Sequence, residues 1–92
     1  MLKIEREMVD AINNGRNWSK GNTSVRHTID GYHVYLHGNR IARIVGVEAV
    51  VDIQTLKNWP TATTKSRLRA LGVDISTVKG VTMLDGVDIN TL

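Results

Sequence analysis

Residues 24–37 alternate apolar and polar side chains around a central Asp30-Gly31, and an alternation of that length fits one local conformation, the half-buried β-strand. Asp-Gly between two such runs is a hairpin signal, because a type I′ turn needs positive φ at both central residues. With Asp30 and Gly31 in the turn, Ile29 faces Tyr32, His27 faces Val34 and Val25 faces Leu36. One side of the sheet then collects Val25, His27, Ile29, Tyr32, Val34 and Leu36, and the other Ser24, Arg26, Thr28, His33, Tyr35 and His37.

The pattern continues past His37-Gly38-Asn39. A three-residue loop there puts Ala42 and Ile44 on the apolar side and Ile41, Arg43 and Val45 opposite, whereas a two-residue loop would bury Arg43, and an unpaired buried guanidinium is costly. Gly46 marks a further turn that returns Ala49, Val51 and Ile53 to the apolar side, which predicts a four-stranded antiparallel meander. Ahead of it, Ile4, Met8 and Ile12 form one helical stripe, with Lys3, Glu5, Glu7 and Asp10 outside, and Asn13-Asn14-Gly15 ends the helix. Residues 16–22 read as a connector.

After Trp59-Pro60, Thr61 or Thr63 caps a second helix that buries Leu68 and Leu71 and closes at Gly72. Asp85-Gly86 then predicts a C-terminal hairpin pairing Leu84 with Val87 and Thr82 with Ile89. The expected fold class is α+β: N-terminal helix, four-stranded antiparallel meander, second helix, C-terminal β-hairpin. At 92 residues the chain is expected to form a single domain, 1–92.

Without cysteine, disulfides, thiolate nucleophiles and Cys-ligated zinc or iron–sulfur clusters are excluded. No apolar run reaches the roughly 18 residues of a membrane span, and Lys3, Glu5, Arg6 and Glu7 interrupt any signal peptide, so a membrane partner is not expected. The three histidines do not converge, since His27 falls on the apolar side and His33 and His37 on the polar side; no metal and no cofactor are expected. Neither a nucleophile elbow, nor paired acids on one face, nor a Gly-rich phosphate loop is present, so no catalytic residues are assigned and an enzyme is not expected.

Three stretches carry a resemblance: Gly21-Asn22-Thr23-Ser24-Val25; Tyr35-Leu36-His37-Gly38-Asn39-Arg40-Ile41-Ala42; and Trp59-Pro60-Thr61-Ala62-Thr63-Thr64-Lys65-Ser66-Arg67-Leu68-Arg69-Ala70-Leu71. They are similar to a group of small uncharacterised tailed-bacteriophage proteins with a Leu-His-Gly-Asn-x-Ile-Ala turn and a Trp-x-Thr-x-Thr-Thr-x-Ser-Arg-Leu helix start. Arg69 stands where that pattern has Asn, and residues 1–20 and 73–92 lie outside it. The resemblance implies a phage accessory protein acting in the host bacterium's cytoplasm.

Two clusters are candidate contact sites. Residues 1–72 hold eleven Lys/Arg against six Asp/Glu, while residues 73–92 hold one Lys against three Asp, so the basic character belongs to the body of the chain. The polar side of the meander brings together Arg26, Tyr35, Ile41 and Arg43, a mixture of arginine, aromatic and apolar side chains that suits a protein contact, unless a helix covers it. Lys65, Arg67 and Arg69 form a basic ridge on the second helix, suited to phosphate or another anion.

The leading expectation is a non-enzymatic phage protein that binds and modulates a bacterial host protein, in host takeover or anti-defence. The alternative is nucleic-acid binding through the basic helix and the sheet face. A further alternative is a small-nucleotide sponge using the same arginines between protomers. A homodimer formed through a sheet edge is compatible with the pattern.

Overall fold

Side chains that alternate in polarity along a strand must leave one face of the sheet to a hydrophobic partner, and here that partner is supplied by helices on both flanks of the sequence. In the computed structural model, which describes all 92 residues, helix α1 (Lys3–Asn13) leads into β1 (Trp18–Lys20), β2 (Thr23–Thr28), β3 (Gly31–Leu36), β4 (Asn39–Val45) and β5 (Glu48–Val51). Helices α2 (Ile53–Asn58) and α3 (Ala62–Ala70) follow, then β6 (Ile75–Val78), β7 (Val81–Leu84), β8 (Val87–Asp88) and a 3-10 turn, Ile89–Thr91. The fold is α+β, with the five strands β1–β5 in an antiparallel meander and β6–β8 in a second, three-stranded sheet.

One core joins all the elements. Met8 of α1, Leu56 of α2 and Leu68 of α3 pack with Val25, Val34, Ala42 and Ile44 of the meander, and Ile75, Leu84 and Ile89 extend the cluster into the second sheet. The helices therefore lie on the inner face of the meander. The starts of α2 and α3 are both capped: Asp52 accepts from the Thr55 N–H at 3.1 Å, and Thr61, one of the two expected caps, from the Thr64 N–H at 3.1 Å.

The first hairpin differs from its expected register. Val25 pairs with Val34 and His27 with Tyr32, and the two-residue loop is Ile29-Asp30, so Ile29 is fully exposed rather than on the apolar side. The displacement is two residues, which leaves every other side chain on its expected face. Gly31 decides the register. It opens β3 at φ +128°, and a Cβ there would collide with the Ile44 carbonyl oxygen, so Gly31 belongs against β4 rather than in the centre of the turn.

Type I′ conditions occur elsewhere, with positive φ at both loop residues of His37-Gly38, Lys79-Gly80 and Asp85-Gly86. The His37-Gly38 loop has two residues, not three, yet Ala42 and Ile44 still face inward. A β-bulge reconciles these: Tyr35 pairs with Arg40 and Val34 with Ala42, and Ile41 is the extra residue between them.

Four elements lie outside the expected set, counting the 3-10 turn. Trp18–Lys20 is a fifth strand of the meander, too short and polar to show alternation. Ile53–Asn58 is a short helix, and Ile75–Val78 makes the C-terminal hairpin three-stranded. Leu84 does pair with Val87, but the second sheet stops at Asp88 because Ile89 already begins the 3-10 turn. Glu5, expected outside, is 3% exposed and lies inside the molecule.

Candidate contact surface

Successive pairings across β2–β5 set side chains in rows on the outer face of the meander. Arg26 pairs with His33, His33 with Arg43 and Arg43 with Val50, so one row reads Arg26, His33, Arg43, Val50. The adjacent row reads Ser24, Tyr35, Arg40. Val45 (44% exposed) and Val50 (40% exposed) give this face an apolar margin.

The charges on this face are unbalanced. Arg40 is paired with Asp52 at 3.3 Å, but Arg26 and Arg43 make no ion pair and no side-chain hydrogen bond. His33 lies between them, with Nδ1 3.4 Å from the Tyr35 hydroxyl and Nε2 shielded from solvent without a partner. Two cations without partners, on strands separated by β3, leave this row positive and favour the approach of an anion. No helix lies over the face, which answers the question posed by its apolar side chains.

The four residues expected on this surface divide. Arg26, Tyr35 and Arg43 are brought together, but Ile41 is 2% exposed and belongs to the core. The bulge turns Ile41 inward beside Ala42, and no alternation rule anticipates an inserted residue. His33 and Arg40 take its place. His33 is recognisable from its spacing of two from Tyr35, whereas Arg40 needs the bulge to be known.

The basic ridge does not form. Arg67 is 5% exposed, donates from Nη1 to Glu5 Oε2 at 2.7 Å and from Nε to Thr23 Oγ1 at 3.1 Å, and so is part of the interior. Ser66 donates to the same Glu5 oxygen at 2.6 Å. Arg69 Nε donates to the Ile75 carbonyl at 2.9 Å and Lys65 Nζ to Thr77 Oγ1 at 2.6 Å, both toward the second sheet. The periodicity of α3 places Arg67 beside its apolar stripe, and only a buried carboxylate on another helix could draw it further in. Burial alone would raise the Glu5 pKa, but the Ser66, Arg67 and Leu2 hydrogen bonds and the Arg67 charge outweigh it and hold the carboxyl below its usual value.

A separate cleft of about 330 Å³ lies between the His37-Gly38 loop and the start of α3. Leu36 and Ile41 line it with the half-exposed Trp59, and His37, Asn39 and the threonines 55, 61, 63 and 64 supply polar groups. Two of the three stretches that carry the phage resemblance thus meet at one place. No arginine lines the cleft, so the guanidiniums that a nucleotide sponge was expected to use lie elsewhere. His27 stacks on Tyr32 at 4.9 Å between ring centroids, away from His33 and His37. No helix is long and apolar enough to cross a membrane.

The model of a family described as Kyanoviridae Gp96 protein matches residues 1–88. No curated protein and no solved structure matches the chain.

Proposed function

We propose, for a chain that belongs to the Kyanoviridae Gp96 protein family, a family of tailed-phage proteins, that it is a non-enzymatic binding protein docking an acidic surface of a bacterial host protein. The observation that carries this reading is the row Arg26, His33, Arg43: two unpaired guanidiniums on an uncovered sheet face, with Tyr35 beside them and valines at the margin. Arginine and tyrosine around an apolar patch are the side chains that concentrate binding energy at protein interfaces. Its setting is the host cytoplasm, where a phage protein meets such targets.

Single-stranded nucleic acid is the less suitable ligand. It needs successive aromatic platforms along a cationic track, and this face has one tyrosine, half-buried and tilted at 59° against His33. The basic helix that would have extended the track has turned its arginines to other partners.

Affinity capture from nuclease-treated host lysate tests the proposal, run beside Arg26→Glu with Arg43→Glu. A host protein retained by the native chain and lost from the folded double variant is the expected result. Retention indifferent to the double substitution, or no protein above background, overturns it. Tight binding of mixed-sequence DNA or RNA at low salt that weakens steeply as salt rises would replace it with the nucleic-acid reading.

A further inference from the structure

The meander has two open edges, and they are treated differently. At β1 the edge is three residues long and ends in Lys20, whose ammonium is held by Glu7 at 2.9 Å. In the second sheet, the Ile75 carbonyl at the β6 edge is occupied by Arg69. Natural sheets blunt their edges in these ways, with short strands, charges and covering groups. β5 is also short, at four residues, and carries one charge, Glu48, but Glu48 makes no ion pair and no side chain bonds to the strand's backbone. Its sequence Glu48-Ala49-Val50-Val51 contains no proline, lysine or bulge, and Val47 in the preceding loop is fully exposed.

The ladder determines which groups are free. Val45 and Glu48 close a two-residue loop and exchange hydrogen bonds, so Glu48 and Val50 point their backbone groups at β4 while Ala49 and Val51 point theirs at the open edge. The next bond of the same parity is present, from the Asp52 N–H to the Ile41 carbonyl at 2.9 Å. A groove of about 550 Å³ is lined by β5 together with Leu71, Val73, Leu84 and Asp85.

We infer that this edge is the interface of a homodimer, in which β5 of a second copy pairs antiparallel with β5 and the two meanders become one sheet. The two-fold axis of such a pair stands perpendicular to the sheet, so inward-facing residues must oppose inward-facing residues, and only two central registers fit a strand this short. Centred on Val50, the pairing would set Glu48 against Asp52 of the second copy, twice, which like charges oppose. Centred on Ala49, it sets Glu48 beside Val50 and Val47 against Val51, covering the fully exposed valine and joining the outward backbone groups of Ala49. The second register is the one adopted. It also lays both Arg26–His33–Arg43 rows on one side of the joined sheet, but the pairing stands on the edge itself and does not depend on the proposed host partner.

Sedimentation of the intact chain over a concentration series tests the dimer, with two variants. Ala49→Pro removes an N–H that β4 does not use, and should leave thermal unfolding intact while abolishing the dimer. Val50→Lys places an ammonium beside Glu48 of the second copy in the Ala49 register, and should tighten the dimer about 2- to 30-fold through two symmetric cross-strand pairs. In the Val50 register the two lysines would face each other and the dimer would weaken, which overturns the assignment. A native chain that stays monomeric at its highest soluble concentration, or a folded Ala49→Pro variant that still dimerises, also overturns it. If Ala49→Pro does not fold, the sign of the Val50→Lys effect decides.

Discussion

A carboxylate that is 3% exposed stays ionised only when its oxygens are occupied, and Glu5 meets that condition with Ser66 and Arg67 on Oε2 and the Leu2 N–H on Oε1. Removing one member of a buried pair strands the other, so Glu5→Ala or Arg67→Ala should each cost about 3–5 kcal/mol in urea unfolding. Glu5→Leu combined with Arg67→Met should recover most of that loss, since neither charge is then left uncompensated. Because the folded-state pKa of Glu5 is depressed, its contribution is complete above the ordinary carboxylate value and is lost as pH falls through the lower, folded value. An unfolding midpoint that does not decline below about pH 4 would contradict this assignment. The pair was not legible in the sequence. Helical spacing put Glu5 outside and Arg67 at the margin of a stripe, and a contact between positions 62 apart leaves no local trace.

Strands and turns were far more legible, for a reason visible in the first hairpin. A period of two tolerates an error of two, so the faces of β2 and β3 were readable although the pairing was displaced. The bulge at Ile41 shows the converse, because one inserted residue moved a side chain from the contact surface into the core. Gly31 marks the decisive contact, and Gly31→Ala should destabilise by at least about 1–3 kcal/mol, as overpacking against a backbone carbonyl. At the start of α2, Asp52→Ala should cost about 1 kcal/mol for the lost cap. Asp52→Asn should cost less than Asp52→Ala at neutral pH, because its amide oxygen can still accept from Thr55 and only the part-exposed Arg40 pair, worth about 0–1 kcal/mol, is lost. Burial would raise the Asp52 pKa, but the Thr55 and Arg40 hydrogen bonds and the Arg40 charge bring it below the usual value. The asparagine variant should therefore also lose part of the acid dependence, read from unfolding midpoints against pH.

For the whole molecule, the excess of positive charge divides between a surface that displays it and an interior that consumes it. Arg26 and Arg43 carry no structural bond, so Arg26→Glu with Arg43→Glu should shift unfolding by no more than about 0.5 kcal/mol per site, whatever it does to binding. A larger loss would give these arginines a structural role instead. Composition announced the basic excess, but its division follows from the fold, which buries Arg67 and leaves Arg26 exposed. The bond from Arg67 to Glu5 has one last implication, for biosynthesis: the ribosome releases the acidic partner long before the guanidinium that neutralises it. The nascent amino-terminal helix can pack against β2 early, but it must wait for its ionic partner until α3 is made. Stalled intermediates truncated ahead of Arg67 should accordingly be digested readily at that helix by protease, and resistance should arrive abruptly once α3 has emerged.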